Sequence, residues 1–126
     1  MIWEKPVAPK DDMRRVLIVD DNAALAENIA ELLELEGHET RVANTATEGL
    51  AHATSWNQDV VITDYRLPDI SGAELLRQIK RLGLVVHAVV ISAYTDETTI
   101  ADARAAGAAF VAKPVDFSTL GKLLRA

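Results

Sequence analysis

Asp20, Asp21, Asp64, Ser92 and Lys113 each stand where an apolar, strand-like run gives out. Carboxylates, a hydroxyl and an ammonium brought to one place would equip a site for phosphate and a cation. Three carboxylates held close repel one another and raise at least one pKa unless a cation sits among them. An all-oxygen donor set suits Mg²⁺, which keeps several waters and takes one or two carboxylates with phosphate oxygens, whereas Ca²⁺ wants more ligands. The same groups suit phosphoryl transfer, where charge spread over the phosphoryl oxygens must be met by fixed positive groups. In that chemistry Asp64 is the nucleophile, Asp20 and Asp21 hold the metal, Lys113 pairs with one phosphoryl oxygen and Ser92 donates to another. Each signal has a plain alternative. An Asp pair after a strand can be a helix cap, a Lys before Pro a solvated turn residue, and a Ser at a strand end a partner for backbone. Their joint occurrence is what discriminates.

The elements that must position these residues follow from hydrophobic periodicity. Val16-Leu17-Ile18-Val19 is a continuous aliphatic run of the kind found in strands buried on both faces. Asn22 to Glu36 carries Leu25, Ile29, Leu32 and Leu33 at helical spacing, with an Asp/Asn cap before it and Gly37 after it. Glu39 to Ala43 reads as a second strand, Asn44 or Thr45 caps a helix to about Ser55, and Val60 to Thr63 is a third strand. A turn-rich loop from Asp64 to Gly72 precedes a helix over Glu74 to Arg81. Val85 to Ile91 is the fourth strand, Thr95 or Asp96 caps a helix to about Ala106, and Ala109 to Ala112 is the fifth strand. Asp116 caps a last helix on which Phe117, Leu120, Leu123 and Leu124 share a face. Strict alternation of strand and helix argues for a parallel sheet with helices on both sides. In such sheets ligands bind at the carboxyl ends of the strands, which is where all five residues fall.

Composition narrows the function classes. A chain of 126 residues suits one domain with a real core, and 49% hydrophobic with only 5% aromatic residues makes that core aliphatic. A formal net charge of −6 without a basic cluster opposes direct contact with nucleic acid or anionic lipid. The absence of cysteine excludes disulfides, thiolate metal sites and thiol catalysis, and fits a reducing, cytoplasmic setting. No apolar run approaches the roughly 20 residues of a membrane span, and the first residues lack a signal-peptide apolar segment. Residues 1–13 mix prolines and charges without a period, so they read as a flexible leader or interdomain linker, with one domain over 14–126.

From about Arg14 to Ala126 the chain resembles the receiver domain of two-component response regulators. The blocks that carry the resemblance, in the family's order, are Val16-Leu17-Ile18-Val19-Asp20-Asp21-Asn22, Val60-Val61-Ile62-Thr63-Asp64 with Leu67-Pro68-Asp69 and Gly72, Val90-Ile91-Ser92-Ala93, and Phe110-Val111-Ala112-Lys113-Pro114. The resemblance implies a flavodoxin-like (βα)5 doubly wound sheet of order 2-1-3-4-5. It implies phosphorylation of Asp64 by the phosphohistidine of a sensor histidine kinase or histidine phosphotransfer protein. It further implies Mg²⁺ held by Asp21, Asp64 and the Arg66 carbonyl, with Asp20 acting largely through water, and a cis bond at Lys113-Pro114, an isomer that costs an X-Pro bond only about 0.5–1 kcal/mol. Ser92 and Phe110 are cast as switch residues that change the surface of the fourth helix, fifth strand and fifth helix, toward an output domain or effector protein. Arg66 and Tyr94 take positions beside the site that influence dephosphorylation. The implied role is that of a phosphoacceptor, not a turnover enzyme, acting as a monomer or weak homodimer.

Three rivals use other features. A flavodoxin-like cofactor binder needs a Ser/Thr/Gly loop after the first strand, where Asp20-Asp21-Asn22 would repel phosphate. A Mg²⁺-dependent aspartyl phosphatase needs a second acid two residues beyond Asp64, where Arg66 stands. A receiver-like scaffold that no longer takes phosphate would be expected to lack part of the five-residue set. His38, His52 and His87 read as surface or strand residues, Trp56 as packing beside the second helix, and Glu31, Glu34 and Glu36 as a solvated helix face. Phe110 reads equally as core. The fourth helix has Ile100 as its one large apolar residue among Ala101, Ala103, Ala105 and Ala106, so it buries little and shifts at low cost. Amide exchange in the unphosphorylated protein is therefore expected to be faster in the fourth helix than in the first; equal protection of the two would contradict this.

Overall fold

The structure is a computed structural model and describes residues 13–125, without the Arg125 side chain. The expected leader therefore lies, apart from Met13, outside the described residues. Five strands, β1 (Arg15–Val19), β2 (Glu39–Ala43), β3 (Val60–Asp64), β4 (His87–Ser92) and β5 (Ala108–Ala112), alternate with helices α1 (Ala23–Leu35), α2 (Ala46–Ser55), α3 (Gly72–Arg81), α4 (Glu97–Ala105) and α5 (Phe117–Arg125). All pairings are parallel and the order is β2-β1-β3-β4-β5.

The alternation of side chains along each strand divides the core into two layers. Val16, Ile18, Val60, Ile62, Val89, Ile91 and Val111 face α1 and α5, meeting Ile29, Leu33, Leu120 and Leu124. Leu17, Val19, Val61, Val90 and Ala108 face the other way, onto Leu75, Leu76 and Ile79 of α3 with Ala103 of α4. Each fully buried aliphatic side chain contributes about 1.5–3 kcal/mol, which makes the central strands β1, β3 and β4 the rigid floor of the molecule. Trp56 packs against the second layer as expected, with the Arg41 guanidinium 4.9 Å from its ring centre. The face of α5 formed by Phe117, Leu120, Leu123 and Leu124 also lies where its spacing placed it.

Three local expectations need correction, and two alternatives are resolved. The third helix starts at Gly72 with Ser71 as its cap, two residues before Glu74, because the Ser71 hydroxyl accepts from the Glu74 N–H. The fourth strand starts at His87, since Val85 is 94% exposed and has no strand partner. Apolar content alone extends that strand too far back. His38 is buried and precedes β2; its Nδ1 accepts the Arg14 N–H at 2.9 Å, so the imidazole joins the start of β1 to the end of the α1–β2 turn. Of the alternative caps, Thr45 and Asp96 take the role, and Asn44 is used elsewhere.

The loop after β3 is held tightly. Asp69 accepts from Ala46 N at 3.0 Å, Thr47 N at 2.8 Å and Thr47 Oγ1 at 2.7 Å, so a residue of this loop caps the distant N-terminus of α2. Partial desolvation opposes it, yet these bonds hold the Asp69 carboxyl well below the usual carboxylate range. Gly72 donates to the Tyr65 carbonyl at 2.7 Å, and a Cβ there would collide with the Asp64 carbonyl oxygen and the Thr63 side chain. Gly72→Ala is expected to destabilise the fold by about 1–3 kcal/mol through overpacking, read as a lower urea midpoint. An unchanged midpoint would show that the loop yields.

Candidate functional site

The strand pattern carries on past the strand ends and sorts the site residues. Asp20, Asp64 and Lys113 continue the α1/α5-facing positions of β1, β3 and β5, while Ser92 continues the opposite set of β4. The first three meet. Lys113 Nζ lies 3.1 Å from Asp64 Oδ2 and 3.2 Å from Asp20 Oδ2. Asp21 completes the group, since ligand oxygens of Asp20, Asp21 and Asp64 all lie within 4.8 Å of one another. The Lys113-Pro114 bond is cis, as the resemblance implied.

Burial differs sharply across the cluster. Asp20 is fully buried, Asp64 is 8% exposed, and Asp21 is open to solvent. Asp20 is locked by its neighbours: its N–H donates to the Ala43 carbonyl, its carbonyl accepts from Asn44 Nδ2 at 2.8 Å, and its Oδ1 accepts from the Asn22 N–H at 2.9 Å. Asn22 also caps α1 through Leu25 N, so the start of α1 and the acidic turn are one construction. Asp20 Oδ2 is close to Lys113 Nζ but receives no well-aligned hydrogen bond, leaving one buried acceptor aimed into the pocket.

Electrostatics point the same way. Burial and the neighbouring Asp20 charge raise the Asp64 carboxyl above its ordinary value, against the lowering effect of the Lys113 ammonium and the Arg66 N–H. Burial works to lower the Lys113 pKa, but its bond to Asp64 and the charges of both carboxylates prevail and raise it. The ammonium therefore stays charged. Three carboxylates face one ammonium, so the pocket when fully ionised lacks two positive charges. A hard divalent cation with oxygen ligands fits that deficit, the orphaned Asp20 oxygen and the donor chemistry together.

The remaining predicted residues surround this centre without all joining it. Ser92 is fully buried at the end of β4, and its Oγ accepts from the Tyr94 N–H at 2.9 Å rather than bonding Asp64. Its carbonyl accepts from the Lys113 N–H, which sets the height of Lys113 beside the acceptor. The Arg66 N–H approaches Asp64 Oδ1 at 3.4 Å, a weak contact, and the Arg66 guanidinium lies 4.0 Å from the centre of the Tyr94 ring. Phe110 is half-buried and packs against the α2–α3–α4 layer, paired across the sheet with Val90.

Sequence reasoning missed four participants. Asn44, by sequence a candidate cap, holds the Asp20 backbone instead. Thr63, fully buried, donates to the Asp64 carbonyl at 2.9 Å. Tyr65 and Asp102 form a 2.7 Å hydrogen bond between the acceptor loop and α4. A buried Thr before the key Asp carries a detectable signal, being a polar residue in an otherwise apolar strand; the Tyr65–Asp102 pair, 37 positions apart, carries none.

A profile described as response regulator receiver domain matches residues 16–125. A response regulator receiver protein of Anaeromyxobacter sp. (strain Fw109-5) is 41% identical over 104 residues, covering 82% of this chain and 44% of that protein. The chain thus spans less than half of that relative. A crystal structure of a CheY-like response regulator receiver domain protein from Methanospirillum hungatei JF-1 superposes with a TM-score of 0.81 at 32% identity, covering 89% of this chain and 94% of that one. A response regulator protein from Burkholderia pseudomallei, solved with a phosphorylated aspartic acid, calcium ion and citrate, gives a TM-score of 0.82 at 27% identity over 88% of this chain and 66% of that one.

The opposing effects on Asp64 can be separated. Asp20→Asn is expected to lower the Asp64 carboxyl pKa by removing a like charge, and Lys113→Ala to raise it further by removing the ammonium. Carboxyl-carbon NMR titration reads both, and shifts of the same sign in the two variants would contradict this charge arrangement.

Proposed function

The chain belongs to the response regulator receiver domain family, and on that footing we propose that residues 14–126 form a receiver unit in which Asp64 takes a phosphoryl group from a phosphohistidine. The observation that carries this reading is the placement of one ammonium, Lys113 Nζ, between the carboxylates of Asp64 and Asp20 at 3.1 and 3.2 Å. In the transfer a carboxylate oxygen of Asp64 forms a new bond to phosphorus while the phosphorus–nitrogen bond breaks and the imidazole nitrogen takes up a proton. Burial helps by holding the carboxylate with little water around it, and Lys113 opposes the rise in its pKa that burial and Asp20 cause.

Asp20, Asp21 and Asp64 with the Arg66 carbonyl are the ligand set assigned to Mg²⁺, which when bound neutralises charge on the incoming phosphoryl oxygens. Lys113 then turns from the free carboxylate to a phosphoryl oxygen. Ser92, whose oxygen already accepts from Tyr94 N–H, keeps its hydroxyl proton for a second oxygen at the acceptor. The unspent Ser92 hydroxyl proton and the half-buried state of Phe110 support the switch assignment for this pair, with the surface of α4, β5 and α5 as its output. The stacked Arg66 and Tyr94 stand at the rim, where they meter the approach of water or donor.

The partners assigned are a sensor histidine kinase or histidine phosphotransfer protein as donor and an output domain or effector on the α4–α5 side. A cytoplasmic setting fits the absence of a helix long and apolar enough to cross a membrane among the described residues. The scaffold reading is disfavoured by the convergence of the acidic groups and Lys113 at the pocket, with Ser92 retained at the end of the neighbouring strand. Incubation with acetyl phosphate and Mg²⁺ is expected to add one phosphoryl mass to the intact protein, with the adduct absent in Asp64→Asn and on omission of Mg²⁺. Failure of small-molecule and phosphohistidine donors alike to produce it would favour the scaffold.

A further inference from the structure

Tyr65 follows the acceptor directly and is tied at three points to three different elements. Its N–H donates to the Ile91 carbonyl of β4 at 2.9 Å, its carbonyl accepts from Gly72 at the start of α3 at 2.7 Å, and its hydroxyl donates to Asp102 Oδ2 of α4 at 2.7 Å. Asp102 is itself held by Arg77 Nη1 at 3.0 Å, and Arg77 by Glu74 Oε1 at 3.0 Å. The Tyr65 ring packs in the layer between the sheet and helices α3 and α4. A partly buried hydroxyl–carboxylate bond of this length is among the stronger hydrogen bonds available to a side chain.

Apart from this bond and the Arg77–Asp102 ion pair beside it, the helix at the far end is held by few buried side chains. Thr99 and Ala103 are the buried residues of α4, against Ala26, Ile29, Ala30 and Leu33 on α1. The near end sits between Asp64 and Arg66, whose carboxylate and backbone flank the acidic pocket. With its backbone held at both the N–H and the carbonyl, Tyr65 has its ring and hydroxyl as the stiff connection from the residues flanking the pocket to α4.

We propose that Tyr65 is a positioning residue that links occupancy of the acidic pocket to the seating of α4 through its hydroxyl bond to Asp102. The inference rests on the reading of that pocket as a cation site, and it deepens it. Linkage makes the effect reciprocal: an ion that favours one setting of Tyr65 favours the setting of α4 that receives it. The bond is made by a tyrosine and an aspartate that the acceptor chemistry does not use.

The test measures amide exchange of α4 in the full chain, with and without Mg²⁺ at a concentration shown by calorimetry to saturate each variant. In the unsubstituted protein Mg²⁺ is expected to slow α4 exchange by roughly fivefold or more, the lower end of ordinary coupling between sites. Tyr65→Phe removes only the hydroxyl and is the specific variant; Asp102→Asn weakens the same bond from the other end and also removes the ion pair with Arg77. Both are expected to speed α4 exchange without Mg²⁺, to abolish its response to Mg²⁺, and to leave α1 exchange unaltered. A merely structural tyrosine would raise exchange but leave the Mg²⁺ response in place. The proposal is overturned if α4 of the unsubstituted protein is indifferent to Mg²⁺, or if both variants respond as it does. Absence of any Mg²⁺ binding by calorimetry would instead overturn the cation reading beneath it, so the two failures are distinguishable.

Discussion

The ammonium of Lys113 between the carboxylates of Asp64 and Asp20 is the contact on which the rest of the molecule turns. Burying Asp20 completely and Asp64 almost completely is costly, because each carboxylate loses water and each repels the other. One ammonium offsets part of that cost and leaves the pocket still short of positive charge. The pocket is therefore neither a stabilising ion pair nor an ordinary surface cluster. It is a site in which the fold tolerates electrostatic stress, and such stress is relieved by a cation or used in chemistry.

That tolerance requires a floor which does not move. Parallel strands with aliphatic side chains on both faces supply it, and the register Ile62–Val89 and Val90–Phe110 across β3, β4 and β5 brings three strand ends to one level. Around the floor the supports are unequal. The loop after β3 is clamped by Gly72 on Tyr65 and by Asp69 on the N-terminus of α2, so the acceptor carboxylate is presented from a backbone with little freedom. The fourth helix is different in kind. It has small side chains toward the sheet and polar ties toward the acceptor loop, which combines low packing cost with a specific tether. A rigid acceptor beside a loosely packed, polar-tethered helix is a physical basis for turning a local charge event into a surface change.

Much of this was legible beforehand, and the exceptions have causes. Val16 to Val19 and Val60 to Thr63 were readable because a strand buried on both faces has to be apolar at successive positions. Where apolarity continued without burial, as at Val85, the same signal overextended the strand. The start of α3 was misplaced because Gly72, a poor helix former, opens it; close approach to the Asp64 carbonyl, not helix propensity, selects the glycine. His38 looks peripheral in the sequence since an isolated imidazole has no pattern, whereas in the fold it is buried and accepts the Arg14 N–H just ahead of the first strand.

The order of the elements, the aliphatic core and the chemical inventory of the pocket were determined by the sequence alone, because periodicity and capping act over a few neighbouring residues and need no knowledge of the whole. The tertiary structure decided which of those groups touch. It joined Lys113 to Asp20 and Asp64, gave Asn44 to the Asp20 backbone, and paired Tyr65 with Asp102. Those contacts link positions brought together by sheet register and helix docking. They are set by the collective packing of the core, which no local stretch of the chain contains.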